Sequence, residues 1–99
     1  MPTYLVIRKR SGPQWDDSLP IREQSHWDAH AAFMDDLVDA GFIVVGGPVE
    51  SDDRVVFLVQ AESAEAVRTS LAGDPWSETH LRLDEVVPWS IWLGRQRID

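Results

Sequence analysis

Two residues have types and settings suited to proton transfer. His30 lies in Trp27-Asp28-Ala29-His30-Ala31, and Asp74 in Gly73-Asp74-Pro75-Trp76. An imidazole titrates near pH ~6.5 and exchanges protons at neutral pH, so His30 is a candidate general base. The competing reading is a packed core histidine bonded to a carbonyl. Asp before Pro is an ordinary turn signal. A carboxylate just past a helix C-terminus also faces the negative end of the helix dipole, a placement that a nearby imidazolium would offset. If His30 and Asp74 meet, the carboxylate fixes the imidazole tautomer and makes the ring more basic.

Other chemistries find less support. Gly46-Gly47-Pro48 could bring bare backbone N–H groups against a ligand oxygen, or be a strand ending in a bulge. It matches neither GxGxxG nor GxxxxGK[ST], so it is no phosphate loop. His26 and His30 are four apart, as two metal ligands on one helix face would be, with Glu23 near. No HExxH, no cysteine and no third ligand at a diagnostic spacing accompanies them, and neither a metal nor another cofactor is expected. A serine nucleophile lacks a GxSxG elbow. The acid pairs Asp16-Asp17, Asp35-Asp36 and Asp52-Asp53 read as solvated surface.

The elements that must position His30 and Asp74 follow from periodicity. Thr3 to Ile7 reads as a buried strand, ending in the basic triplet Arg8-Lys9-Arg10 as a solvated edge. Ser11 to Pro20 is a long loop, with Trp15 as a lid or anchor. Ser25 and Asp28 resemble a capping box, and a helix runs from there to about Ala40, stopped by Gly41. At 100° per residue, Trp27, His30, Ala31, Met34, Leu37 and Val38 share its apolar sector, opposite Asp28, Asp35, Asp36 and Asp39. Phe42 to Val45 and Val55 to Val59 read as an antiparallel hairpin. A second helix runs from a cap at Ser63 to Leu71, stopped by Gly73. Leu81 to Leu93 is a strand broken at Pro88, the mark of an edge or a bulge.

The order βαββαβ predicts an α+β ferredoxin-like domain, a four-stranded antiparallel sheet with two helices on one face. At 99 residues, positions 1–99 make one domain. Five tryptophans, with one sheet face left bare, point to a homodimer packed through the sheets. A net charge of -8 speaks against nucleic acid and anionic membrane as partners. Zero cysteines exclude disulfides and thiolate chemistry. No stretch resembles a signal peptide or approaches the roughly 20 apolar residues of a membrane span, so a cytoplasmic location is expected.

Taken in order, Trp27-Asp28-Ala29-His30-Ala31-Ala32-Phe33-Met34, Gly41, Gly46-Gly47-Pro48, Asp74-Pro75-Trp76 and Pro88-Trp89 resemble the YCII-related family, over about Tyr4 to Leu93. The resemblance implies a dimeric α/β barrel of ferredoxin-like subunits, similar in architecture to muconolactone isomerase and the small cofactor-free monooxygenases. It also implies a His-Asp pair in a pocket, carried here by His30, eleven residues before Gly41, and by Asp74 of Asp74-Pro75. The family Gly-Pro maps to Gly47-Pro48. Many members carry an arginine where this chain has Trp27, and Arg22 is its nearest replacement before the helix. His26 does not fit the spacing to Gly41.

The reading is a cofactor-independent enzyme, lyase- or isomerase-like, acting on a small cyclic or aromatic metabolite. His30 would act as general acid/base oriented by Asp74. Trp27, Gly46, Gly47, Pro48 and Trp76 would shape the pocket, with Trp76 as a flat wall for a ring. The resemblance implies lyase chemistry such as elimination of HCl from halogenated hydroxylated rings. The rival reading is a non-catalytic module of the same dimeric fold that binds a small molecule.

Overall fold

In the computed structural model, which describes residues 1–94, the first strand β1 spans Thr3–Arg10. Its side chains alternate, so Tyr4, Val6 and Arg8 point into the interior while Thr3, Leu5 and Ile7 point the other way. Helix α1 covers Trp27–Asp39, followed by strand β2, Ile43–Pro48, strand β3, Arg54–Gln60, helix α2, Ala64–Ala72, and strand β4, Leu81–Pro88. The strands pair antiparallel in the order β2-β3-β1-β4, the α+β ferredoxin-like arrangement. Helix α1 lies over β2 and α2 over β4. The inner strand β1 is therefore the floor between them.

The helix ends show which local signals operate. Ser63 caps α2, its side chain accepting from the Ala66 N–H at 3.0 Å. At the end of α1, Gly41 has φ +80° and the Phe42 N–H reaches back to the Leu37 carbonyl, a Schellman closure that a side chain would strain. The expected capping box of α1 is absent. His26 occupies the cap position with φ 62°, no side chain caps the helix, and Ser25 turns elsewhere. Gly73 ends α2 with an ordinary φ of -75°; a Cβ there would meet the Phe33 ring at 3.2 Å, so close approach of α1 explains the glycine.

Three strand boundaries differ from expectation. β1 continues through Arg10, because its basic triplet pairs with β3 and β4 rather than fraying into solvent. β2 runs through Gly46-Gly47-Pro48, its irregularity falling between Ile43 and Val45. β4 stops at Pro88 on the sheet edge, and residues 89–94 form no strand.

The core joins Tyr4, Val6, Val55, Phe57 and Val59 of the sheet to Val67, Leu71, Trp76 and Leu81. On the opposite face Leu5, Ile7, Val56 and Leu58 form an apolar band between the exposed Val45 and Val87. Among the described residues, no helix is long and apolar enough to cross a membrane.

Candidate functional site

His30 is the buried residue of α1, set on the inner face of the helix by its register. Asp74 lies just past α2, in a turn closed by its own N–H on the Leu71 carbonyl. The two side chains meet. Nδ1 of His30 lies 2.9 Å from Oδ1 and 2.8 Å from Oδ2 of Asp74. The same carboxylate accepts from the Trp76 N–H at 2.9 Å and from Nη1 of Arg8 at 2.8 Å. Arg8 is anchored in turn, its Nε and Nη2 donating to the Leu81 carbonyl at 3.1 and 2.8 Å.

Electrostatics assign the protons. Burial alone would raise the Asp74 pKa, but the hydrogen bonds from His30 and Trp76 and the Arg8 charge outweigh it and hold the carboxyl below the usual carboxylate range. Burial lowers the Arg8 pKa, partly offset by Asp74, and a guanidinium keeps its proton regardless. An ionised carboxylate only accepts, so Nδ1 of His30 carries the hydrogen. With the hydrogen on Nδ1, a neutral ring has its lone pair on Nε2, and no hydrogen bond to Nε2 is made among the described residues. That is the tautomer a general base needs.

Arg8 is the member of this buried network that the sequence did not announce, its basic triplet reading as a solvated edge. It is 1% exposed. The signal was the two-residue alternation, which places Arg8 on the same face as Tyr4 and Val6 and so demands a buried counter-charge. It also answers the dipole problem of Asp74 more directly than an imidazolium would.

Aromatic rings pack around the pair. Trp76 stacks on His30 with centroids 4.0 Å apart and planes at 6°, and its other face stacks on His80 at 4.6 Å. Trp27 lies 5.6 Å from His30 and Trp15 meets Trp76 edge-on at 6.4 Å. Trp76 is fully buried with an imidazole on each face, so it cannot offer the flat wall for a ligand ring expected of it. It positions His30 instead. Half-buried Trp27 does border open space, lining a cavity of about 440 Å³ with Arg22, Gln24, His26, Asp28 and Ala29.

The long loop closes the other flank. Gln24 pins it, accepting from the Asp16 N–H and donating to the Asp16 and Leu19 carbonyls. Gly12, at φ +121°, allows the chain to press against the Thr79 carbonyl, where a Cβ would lie at 2.5 Å.

Gly46, Gly47 and Pro48 are not joined to His30 or Asp74 by any hydrogen bond among the described residues. A Cβ on Gly46 would sit 2.4 Å from the Phe57 ring, so core packing accounts for that glycine. Among the described residues, no group of three or more His, Asp or Glu side chains is arranged to hold a metal ion.

A family model described as the YCII-related domain matches residues 4–90. No curated protein and no solved structure matches the chain. The family match spans most of the chain, the sheet has the ferredoxin-like order, and the chain therefore belongs to the YCII-related domain family.

Proposed function

We propose that this protein is a cofactor-independent acid–base catalyst, lyase- or isomerase-like, acting on a small cyclic or aromatic metabolite. One observation carries the reading: Asp74 holds Nδ1 of His30 while Nε2 has no hydrogen-bond partner among the described residues. In the reaction, Nε2 takes a proton from a substrate carbon or hydroxyl as a bond to the leaving group breaks or a double bond shifts. The proton then returns to product or passes to water. Asp74 stabilises the imidazolium formed, and Arg8 keeps Asp74 ionised while it does so. Trp27 would flank the substrate from the cavity it lines.

The burial of Arg8, His30 and Asp74 in one network favours a second reading, a non-catalytic module that binds a small molecule and uses the network to hold its fold. One experiment separates the two. Chlorinated hydroxylated ring compounds are incubated with the wild type and with His30→Ala, following chloride release and the quenching of tryptophan fluorescence. Catalysis predicts chloride release that is lost in His30→Ala. Ligand-dependent quenching with no turnover would establish the binding module, and release unchanged in His30→Ala would remove His30 from the chemistry.

The same proposal includes a homodimer. A second copy packed on Leu5, Ile7, Val45, Val56, Leu58 and Val87 would remove that apolar band from water. Sedimentation equilibrium of the wild type against Val45→Lys tests it, and a monomeric wild type would overturn it.

A further inference from the structure

Ser25 stands two residues before α1 and has the residue type that caps helices, yet its hydroxyl does not cap. It lies 2.9 Å from Nε2 of His80, while His26 takes the cap position in the left-handed region. Forgoing a serine cap costs about 1 kcal/mol. A left-handed non-glycine residue adds strain. Both costs are incurred to place one exposed hydroxyl against one fully buried imidazole.

The protons of this pair can be traced. The Thr79 hydroxyl lies 2.6 Å from Nδ1 of His80 and 3.2 Å from the Pro75 carbonyl. The carbonyl can only accept, so Thr79 donates to Pro75 and its oxygen accepts from Nδ1–H of His80. That leaves the lone pair on Nε2, facing the Ser25 O–H. Burial, followed by the like charge that His26 and His30 carry when protonated, pushes the His80 pKa down against the pull of Asp74, so the resting ring is held in its neutral form. Stacking on Trp76 holds the ring, and the Trp76 indole N–H bonds the Ser25 carbonyl at 2.9 Å, fixing both partners to one side chain.

We propose that Ser25 is a nucleophile activated by His80, with Thr79 orienting the imidazole, and that it accepts acyl groups from small activated esters. A nucleophile, a base within hydrogen-bond reach and a third group holding the base are recognised by geometry and role, not by sequence motif. Ser25 Oγ bonds to the ester carbonyl carbon as its proton passes to Nε2 of His80. The tetrahedral adduct then breaks its C–O bond to the alcohol, which leaves with that proton. Water hydrolyses the acyl-serine by the same route. Ser25 is itself exposed, and its two neighbours, Gln24 and His26, line the cavity of about 440 Å³. Thr79 carries no charge to stabilise the imidazolium, so turnover is slow and the acyl-enzyme accumulates. This chemistry does not depend on His30 acting as a base.

The test is covalent labelling of the intact chain with a fluorophosphonate and with p-nitrophenyl acetate, followed by peptide mass mapping. Modification is expected on Ser25, with a burst of nitrophenolate. His80→Gln lowers the labelling rate by about 10²–10⁴, the usual contribution of a general base. Thr79→Val, which leaves the buried imidazole in place but removes the acceptor of Nδ1–H, also slows it. Cooperative urea unfolding shows that each variant is folded. A wild type left unmodified at Ser25, or labelling at the wild-type rate in folded Thr79→Val and His80→Gln, overturns the proposal.

Discussion

Replacing Asp74 by Asn keeps the size of the side chain and removes its charge. Three donors converge on that carboxylate: Nδ1 of His30, the Trp76 N–H and Nη1 of Arg8. The asparagine oxygen can still serve Trp76, but its NH₂ group then faces donors. The Arg8 guanidinium, 1% exposed, is left buried with only neutral acceptors, the Leu81 carbonyl and the Met34 sulfur, to compensate it. Removing one partner of a buried ion pair costs about 3–5 kcal/mol. Against a total stability on the order of 5–15 kcal/mol, that is a large fraction. For a domain of this size it lowers the melting temperature by roughly 12–40 °C. Urea unfolding at low temperature, followed by tryptophan fluorescence, measures it directly. Arg8→Met is milder, since Asp74 keeps its His30 and Trp76 hydrogen bonds, and the double variant Arg8→Met/Asp74→Asn is more stable than Asp74→Asn alone. If Asp74→Asn unfolds within about 1 kcal/mol of the wild type, or the two substitutions are additive, the buried pair is not coupled and the reasoning is wrong.

The depressed Asp74 pKa sets a pH dependence of stability. The native carboxyl stays ionised where the unfolded one, near pKa ~3.9, begins to bind a proton, so its contribution is present above about pH 4 and is lost as pH falls through the native value. Urea midpoints measured from neutral to acid pH show a smaller drop in Asp74→Asn than in the wild type. Gly46→Ala places a methyl group 2.4 Å from Phe57 and 2.8 Å from the Val56 carbonyl, and destabilises by about 1–3 kcal/mol in the same assay. Ser63→Ala removes the cap of α2 and costs about 0.5–2 kcal/mol; an unchanged midpoint would show the cap to be idle.

Signals confined to a few neighbouring residues were legible in the sequence. The helix register put His30 on the inner face, Ser63 and Gly41 marked helix ends that the structure uses, and the order of elements identified the sheet topology. Period-two alternation also carried Arg8 to the inner face, but a basic triplet looks solvated until a counter-charge is known, and Asp74 is 66 residues away. Ser25 misled in the opposite direction. Its local setting fits a helix cap, and a histidine 55 residues downstream draws the hydroxyl off.

Trp76 shows the same division. Its place beside Asp74 marked it as near the site, while its two stacked imidazoles come from α1 and from the residue before β4. The amino-acid sequence by itself determined the elements, their order and the inward face of His30, because each depends on periodicity and on backbone groups within one turn. Only the tertiary structure decided which side chains share a proton or a charge. Those contacts arise when β1, α1 and the turn after α2 close over one another, and their strength comes from the exclusion of water that this closure brings.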